Sequence, residues 1–327
     1  MLAPAPASER RTGSVQSLRF DDMEAMAATL IGSDVEFVPL QPGQFHGQSC
    51  RIDFEDFHLK RAIHEPLLMH GAIRPDYVAL NMHVRPTGAL TLNGESLGAS
   101  MLSVLPEGTA VQVVCPGKQD RIGVRFRAEP FHRMIESYGI RAFPRGLHQI
   151  LHLREDQAST IVHGFTAMTN FAENLPNLFT VPGLDKALTE ECYRLLAGVL
   201  SSEEDHRRRP RQTKDMLRQV SAADEFLRAH IERPIYTEEI CFALGISARV
   251  LYRSFGAVYG MSPHSYLKRR RLELARRALR LPRDSPALVK SVALSHGFWH
   301  LGHFSQEYAT MFGEMPSETL GKSGPPH

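Results

Sequence analysis

The first regular pattern along the chain is a series of short hydrophobic runs between about Phe45 and Phe126. Runs such as YVALNMHV, AVQVVCPG and RIGVRF are separated by turn residues, as expected of antiparallel strands. The pair Asn93-Gly94 lies between two apolar runs and is the strongest short-range signal for a β-hairpin. Runs of this length and spacing predict a small β-barrel or a double-sheet jelly roll.

The hydrophobic spacing becomes helical between 155 and 200. Two segments, EDQASTIVHGFTAMTNFAENL and GLDKALTEECYRLLAGVLSS, are joined by PNLFTVPG and carry apolar residues on one face each. These residues are Ile161, Phe165, Met168, Leu184, Leu188, Leu195 and Val199. We predict an αα-hairpin, whose apolar stripes either pack on their own domain or form a dimer seam.

A polar stretch, SSEEDHRRRPRQT, follows the hairpin and is typical of an exposed linker. The sequence therefore predicts an N-terminal domain over residues 1–201, a linker over 202–213 and a C-terminal domain over 214–321. The expected fold class is α+β with two domains, in which a β-barrel with a helical hairpin precedes an all-α domain.

Capping residues mark successive helices in the C-terminal domain. Thr237 is predicted as the N-cap of the helix EEICFAL, which Gly245 ends, and Ser247 as the N-cap of ARVLYRSFGAVYG. A helix, a glycine turn and a second helix within 24 residues form a helix-turn-helix. The dipeptide Ser262-Pro263 then opens a longer helix.

The same order of elements recurs near the C-terminus. ALVKSVALSH is followed by Gly297 and by LGHFSQEYATMF, which predicts a second helix-turn-helix. Gly297 places His296 and His300 on different elements, and this argues against a zinc site in the histidine-rich turn. Trp299 is expected to pack rather than to contact DNA. Four aromatic residues are expected to form the core of this unit, namely Phe298, Phe304, Tyr308 and Phe312.

Length and composition are those of a two-domain globular protein. The chain has 327 residues, 43% hydrophobic and 23% charged, and a domain takes about 150 residues. No apolar run approaches the ~20 residues of a membrane-spanning helix, and the N-terminus lacks the apolar core of a signal peptide. We therefore expect a cytoplasmic protein. The four cysteines lie far apart, which predicts neither a disulfide framework nor a zinc knuckle.

Charge is distributed unevenly along the chain. Residues 211–327 carry 17 Lys and Arg against 11 Asp and Glu, a net charge of +6, whereas residues 1–210 carry 21 against 25, a net charge of −4. A basic C-terminal third is expected of a module that binds a polyanion, although a solvated basic surface would give the same balance. The run Lys268-Arg269-Arg270-Arg271 is expected to be solvated or to contact phosphate or RNA polymerase.

Two long motifs occur in order in the C-terminal domain. They are LGIS.R.L.R.F....G.SP..YL...RL..AR..L at 244–279 and V..VA...GF.H...F...Y...FG..PS at 289–317. This combination resembles the DNA-binding domain of the AraC/XylS family of bacterial transcription regulators. Two shorter motifs, LQPGQFHG at 40–47 and GFWHLGHF at 297–304, resemble the branch that contains ethanolamine-operon and other amine-utilisation regulators.

The resemblance implies a regulator of transcription that binds double-stranded DNA at promoters, with activation favoured over repression. It implies a cupin-like N-terminal barrel that binds a small-molecule effector, with an amine as the effector class of the narrower branch. It further implies a homodimer that contacts RNA polymerase and has neither enzymatic activity nor a cofactor.

The resemblance also assigns candidate DNA contacts. In the first unit these are Ser247, the predicted cap, and Arg249, Tyr252 and Arg253 on the recognition helix that follows it. Arginine can donate two hydrogen bonds to guanine, although Arg253 could instead contact phosphate or form an ion pair inside the domain. The candidates of the second helix are His300, Leu301, Gly302, His303, Ser305 and Gln306. The candidates for lining the effector-binding barrel are Phe54, His58, Met82 and Arg85.

Two enzymes fused to a DNA-binding domain are the alternatives. A cupin-type metal-dependent enzyme needs His-x-His with a later Glu and His, and no His-x-His occurs in the sequence. A DNA-repair methyltransferase needs a reactive cysteine in a Pro-Cys-His-type context, which none of the four cysteines has. The sequence therefore favours a regulator over both enzymes.

Overall fold

The computed structural model describes residues 14–140, 148–181, 183–200, 211–233, 235–281 and 288–321. The strands of the N-terminal domain are Ser14–Phe20 (β1), Ser33–Pro39 (β2), Gly47–Asp53 (β3), Phe57–His64 (β4), Leu67–Ile73 (β5), Tyr77–His83 (β6), Thr91–Leu92 (β7), Glu95–Ser96 (β8), Met101–Leu105 (β9), Ala110–Cys115 (β10), Gln119–Arg127 (β11) and Gln149–His152 (β12). Its helices are Met23–Ala28 (α1), Ala128–Ser137 (α2), Glu155–Asn174 (α3) and Leu184–Leu200 (α4).

The strands form two antiparallel sheets. The larger has the order β1-β3-β4-β11-β6-β9-β12 and the smaller the order β2-β5-β10-β7-β8. Alternate residues of a strand face opposite sides of its sheet. On the larger sheet, Leu59 and Val124 pack in an apolar core with α3 and α4, whereas Ala62 and Ala79 pack against the smaller sheet. The larger sheet is therefore covered on both faces.

These elements confirm the predicted α+β class with an N-terminal β domain and a helical hairpin. The hairpin signal at Asn93-Gly94 is also confirmed, because both residues have positive φ angles, 52° and 79°, and they join β7 to β8. Positive φ at both central residues is the geometry of a type I′ turn.

The C-terminal domain consists of helices. They are Arg211–Ala229 (α5), Thr237–Leu244 (α6), Ala248–Tyr259 (α7), Pro263–Arg280 (α8), Val289–Ser295 (α9), Leu301–Phe312 (α10) and Pro316–Gly321 (α11). Helix α8 belongs to two apolar cores, since Tyr266 and Leu267 pack with α5 and α7 while Leu272 and Leu279 pack with α9 and α10. The two helix-turn-helix units are thus held by one helix.

The predicted caps Gly245 and Ser247 are reproduced, and the cap predicted at Thr237 is corrected. Gly245 has a left-handed φ of 63° at the end of α6, and Ser247 Oγ accepts a hydrogen bond from Val250 N at 3.3 Å. The expectation that Thr237 is the N-cap of α6 is wrong. Tyr236 is the N-cap and its backbone N–H donates to the Glu239 carboxylate at 3.2 Å. Residues 202–210 of the predicted linker lie outside the described residues, whereas residues 211–213 belong to α5 and not to a linker.

The smaller sheet packs against the C-terminal domain. Val38, Leu68 and Val114 share an apolar cluster with α5 and α7. Beside it, Gln112 Nε2 donates to Ser221 Oγ at 3.3 Å. The two domains therefore share a continuous interface rather than isolated contacts.

Glu36 on β2 is the centre of the charged contacts between the domains. Its carboxylate pairs with Arg270, which is 3% exposed, and lies 3.1 Å from Arg277 Nη1 and 3.7 Å from Arg228 Nη2. His70 Nδ1 accepts from Arg228 at 2.7 Å and its Nε2 lies 3.3 Å from Glu36. A neutral imidazole that donates through Nε2 satisfies both contacts, and burial lowers the pKa of His70.

Two arginines of the run 268–271 take part in the same interface, and the third is bonded within the C-terminal domain. Arg269 Nη1 donates to Pro39 O at 2.7 Å, and Arg271 Nε donates to Ile231 O at 3.0 Å. The arginine between them is the buried partner of Glu36. The expectation of a solvated face is therefore wrong for Arg270, which is buried, whereas Arg269 and Arg271 are half-buried and donate to backbone carbonyls.

Within the described ranges, no single helix is both long and apolar enough to cross a membrane. Helices α6 and α7 reach that length and composition only as a pair, which is bent by 94°.

Candidate nucleic-acid interface

Helix α7 of the first helix-turn-helix has one buried and one exposed side. Arg249, Tyr252 and Arg253 are all exposed, and their spacing of three and four residues places them on one side of the helix. The opposite side packs in the core through Leu251, Phe255, Val258 and Tyr259. The three candidate DNA contacts of this helix therefore share one solvent-facing surface, next to the Ser247 cap.

The two arginines of this surface are not engaged by the protein. Neither the Arg249 nor the Arg253 side chain has a hydrogen bond or an ion pair with any residue that the structure describes. The internal ion pair considered for Arg253 is thus not formed among those residues. Two unpaired guanidinium groups on one helix face can donate to bases or to phosphates.

Helix α10 of the second unit has the same two-sided organisation. Phe304, Tyr308, Met311 and Phe312 are its buried residues, and Phe298 packs on Phe304 with ring centroids 4.9 Å apart. Its predicted contacts lie at the start of the helix. His300, Leu301, Gly302, His303 and Gln306 are exposed, and Ser305 is half-buried.

This second surface differs chemically from the first. It has no arginine, and the His300 and His303 rings lie 5.8 Å apart. A Cβ placed at Gly302 would meet no atom within 4 Å, so a ligand can approach the backbone closely there. Such a surface suits contacts with thymine methyl groups, phosphates and backbone rather than paired hydrogen bonds to guanine.

The turn before α10 departs from the expectation in one residue. Trp299 is 59% exposed, so its expected packing is wrong. His296 Nδ1 instead lies 2.8 Å from Val292 O and is held by the preceding helix. In the part of the chain that the structure describes, no three His, Cys, Asp or Glu side chains are grouped so as to hold a metal ion.

Helix α8 sets the separation of the two surfaces. Its 18 residues correspond to about 27 Å at 1.5 Å per residue. Neighbouring major-groove segments on one side of a duplex are ~34 Å apart. A linking helix of this length is therefore compatible with two recognition helices that bind successive segments of one side of DNA.

The effector candidates are separated by the larger sheet. His58 lines a cavity on the inner face of that sheet. Phe54 and Met82 lie in the core on the opposite face, and Arg85 is exposed after β6. The structure brings other residues to the cavity that sequence reasoning missed, namely Arg51, Lys60, Asn81, Arg121 and Arg125.

The sequences of β4 and β11 contain a pattern that could have identified some of these cavity residues. HLK in β4 and RIGVR in β11 place basic or aromatic polar residues at every second position of otherwise apolar runs. Period-two spacing puts them on one face. That face would ordinarily be assigned to solvent.

Comparison with known proteins supports the helix-turn-helix assignment. A family model described as a helix-turn-helix domain matches residues 240–322. The XylDLEGF operon transcriptional activator 2 of Pseudomonas putida is 36% identical over 96 residues, which cover 29% of this chain and 61% of that protein. The probable thc operon regulatory protein of Rhodococcus erythropolis is 34% identical over 132 residues, covering 40% of this chain and 39% of that protein.

Among solved structures, a probable AraC family transcriptional regulator from Rhodopseudomonas palustris CGA009 is 40% identical. The match covers 33% of this chain and 99% of that one, with a TM-score of 0.31. The chain spans less than two thirds of the curated relatives described above. These similar proteins are transcription regulators rather than enzymes. The C-terminal domain is therefore a helix-turn-helix domain that is similar in sequence to those of bacterial operon regulators.

Proposed function

We propose that this protein is a sequence-specific DNA-binding regulator of transcription, acting as an activator that contacts RNA polymerase. The observation that carries the proposal is the exposed face of α7, where Arg249, Tyr252 and Arg253 lie together without a partner among the described residues. Helix α10 carries a second exposed surface, and helix α8 connects it to the first. The two surfaces could therefore bind two successive segments of DNA. The net charge of +6 over residues 211–327 supports binding to a polyanion.

Control by a small-molecule effector is the second part of the proposal. The N-terminal domain holds a lined cavity, and its smaller sheet packs on the helices that carry the DNA-binding surfaces. A ligand alters transcription only if it favours one arrangement of the two domains over another. The shared interface centred on Glu36 provides the contacts in which two arrangements can differ.

The amine class of effector is supported by short motif resemblance alone. The first motif of that branch, LQPGQFHG, lies at the domain interface, where Gly43 N donates to Met311 O at 3.1 Å. It therefore supplies a contact between domains rather than a binding group for an amine. Thermal unfolding with and without ethanolamine tests whether the protein binds an amine.

The homodimer is proposed to form through the helical hairpin. Exposed apolar residues cluster at the tip of the hairpin, with Phe171, Leu175, Leu178 and Val181 between 39% and 49% exposed. Contiguous exposed apolar side chains of this kind mark protein interfaces. The Leu175→Glu variant should dimerise more weakly than the wild type in sedimentation equilibrium. An unchanged dimer would show that the dimer contact lies elsewhere.

The DNA-binding proposal is tested with Arg253→Ala. A preferred site is first selected from random duplexes with the wild-type protein, and affinities for this site and for a scrambled duplex are measured by fluorescence anisotropy at several salt concentrations. A paired arginine–guanine contact contributes about 1–3 kcal/mol of discrimination, which corresponds to a loss of about 5- to 150-fold on the selected site. Affinity for the scrambled duplex should change little.

Arg218→Ala is the matched control. Arg218 lies on α5 with its side chain 81% exposed, so the variant loses the same charge outside the α7 surface. If Arg253→Ala weakened both duplexes equally and reduced the salt slope by about one, Arg253 would be a phosphate contact. A wild-type protein that selects no sequence would refute the proposed function.

A further inference from the structure

A small cavity, with an accessible volume of about 20 Å³, lies on the inner face of the larger sheet beneath residues 29–31. Its walls come from β3, β4, β6 and β11. The polar side chains that line it are Arg51, His58, Lys60, Asn81, Arg121 and Arg125. Four of these six are basic, which is unusual for the interior of a protein, because buried charges are ordinarily paired.

The strand register brings three of the basic groups around one glycine. Gly123 on β11 pairs with Lys60 on β4 and with Asn81 on β6, and Arg121 and Arg125 lie two residues to either side on the same face. A Cβ at Gly123 would lie 3.0 Å from Asn81 Oδ1 and 3.4 Å from Arg125 Nη1. The absence of a side chain at this position therefore leaves space between the cationic groups.

Only one of the four cations has a carboxylate partner among the described residues. Arg51 Nε lies 2.8 Å from Asp53 Oδ1, which also accepts from His58 Nδ1 at 2.7 Å. Burial opposes ionisation of Asp53, but the hydrogen bonds from His58 and Arg51 outweigh it and hold its pKa below the usual range. Asp53 is thus already bonded to Arg51, His58 and Ser14.

The other three cations have neutral partners or none. Lys60 Nζ donates to Thr29 Oγ1 at 2.6 Å. Arg125 donates to Ser33 Oγ at 3.2 Å and to Asn81 Oδ1 at 3.1 Å. The Arg121 side chain has neither a hydrogen bond nor an ion pair within the described part of the chain. A guanidinium that can donate five hydrogen bonds is therefore buried beside the cavity with its donors unused.

Burial and mutual repulsion disfavour the charged forms of these groups. Arg121, Arg125 and Lys60 are 7%, 7% and 8% exposed. Desolvation, together with neighbouring arginines, lowers the pKa of Lys60 to about 7 and that of Arg125 to about 9. A bound anion would reverse this penalty by pairing with all three groups. Perturbed basic groups that converge on a cavity are typical of a binding site.

We propose that this cavity is the effector site and that it binds a compact oxyanion, a carboxylate or a phosphate, between Lys60, Arg121 and Arg125. Its identification as an effector site rests on the proposed function, whereas anion binding does not. Asn81 and His58 supply further hydrogen-bonding groups to the same space. A cationic amine would meet like charges here and is excluded from the cavity.

Anion binding is measured on the full chain without DNA. Thermal unfolding is followed with sodium acetate, benzoate or phosphate and with ethanolamine hydrochloride, each against sodium chloride at the same ionic strength. A ligand at 100 times its dissociation constant adds about 2.7 kcal/mol to the stability of its domain and raises the midpoint by several degrees. We expect a rise with one class of oxyanion and none with ethanolamine.

Arg121→Gln and Arg127→Gln separate the site from a general salt effect. Arg127 is on the same strand but exposed, so its variant should keep the full response. The Arg121 variant should bind the anion at least ~10-fold more weakly, since a hydrogen bond to a charged group is worth about that factor. It should fold at least as stably as the wild type without ligand, because it loses a buried unpaired cation.

Each outcome decides the proposal. A response to acetate or benzoate but not phosphate assigns a carboxylate ligand, and the opposite pattern assigns a phosphate. Equal responses in wild type and Arg121→Gln, a response to ethanolamine alone, or no response to any anion would overturn the site. DNA selection by the wild type would stand in all three cases, so failure of this site is distinguishable from failure of the DNA-binding function.

If Arg121→Gln does not fold, Gly123→Ala gives the same test by filling the space rather than removing charge. Its Cβ would need Asn81 to move by a few tenths of an ångström. Loss of the anion response in this variant supports the site, and an undiminished response overturns it.

Discussion

Replacing Glu36 with glutamine tests whether charge holds the two domains together. Glu36 pairs with Arg270, lies within 3.7 Å of two further arginines and is 30% exposed at its side chain. Its hydrogen bond with His70, followed by the charge of Arg270, holds its pKa well below the ordinary value against the effect of burial. Glu36 is therefore ionised at any pH at which the protein is handled, and glutamine removes a full charge.

The magnitude follows from what the substitution leaves behind. Arg270 is 3% exposed, and removing one partner of a buried ion pair costs ~3–5 kcal/mol because the other charge stays buried. Since Glu36 itself is 30% exposed, solvent screens part of the pair, and we expect a loss of ~2 kcal/mol. Hydrogen exchange should increase in β2 and in the peptides of α8, the two elements that the pair joins.

Urea unfolding followed by circular dichroism measures the loss, and Glu129→Gln is the control. Glu129 forms an ion pair with Arg133, but its side chain is 84% exposed, so its loss should change the free energy of unfolding by less than ~0.5 kcal/mol. A Glu36→Gln protein as stable as this control, with unchanged exchange in α8, would refute the idea that the charged cluster couples the domains.

Two further predictions concern the core and the pH dependence. Phe304→Ala should lower the free energy of unfolding by ~3–5 kcal/mol, because a fully buried aromatic ring is removed from the second helix-turn-helix, whereas a loss below 1 kcal/mol in urea unfolding would contradict that packing. Lys60 has a folded-state pKa of about 7, below its ordinary 10.5, so the unfolded chain binds one more proton between these values and stability should rise as pH increases from 7 to 10. Lys60→Met should be more stable than the wild type at pH 7, with a difference that shrinks toward pH 10. A difference that stays constant over that range would show that Lys60 does not titrate in it.

The helical half of the fold could be predicted closely because its signals are local. Gly245 and Ser247 end and begin helices through contacts within four residues, and the aromatic core of α10 follows from spacing alone. The N-cap of α6 was misplaced by one residue, because the deciding contact is the Glu239 carboxylate rather than the hydroxyl of Thr237.

Features that depend on a second layer could not be predicted in the same way. Strand β1 has mostly exposed or half-buried residues and lacks a strong apolar alternation. Arg269 and Arg270 look like part of a solvated run until the N-terminal domain is packed against α8. Likewise, Arg121 and Arg125 alternate with apolar residues, and this pattern predicts a solvent-facing side. That prediction assumes that only one face of the larger sheet is covered. In the structure, α3 and α4 cover the apolar face, and the smaller sheet covers the face that carries the arginines.

The cavity and the DNA-binding domain are connected through the short segment that contains α1. At one end, Glu24 pairs with Arg277 of α8 at 2.5 Å, and Asp22 pairs with the last residue of the same helix. At the other end, Thr29 Oγ1 accepts from Lys60 in the cavity. An anion that pairs with Lys60 must compete with this hydrogen bond to Thr29. The ligand would therefore act at the C-terminal end of the six-residue helix α1, whereas the ion pairs with α8 lie at its N-terminal end. Because α8 belongs to the cores of both helix-turn-helix units, a displacement of α1 would reach both DNA-binding surfaces through one helix.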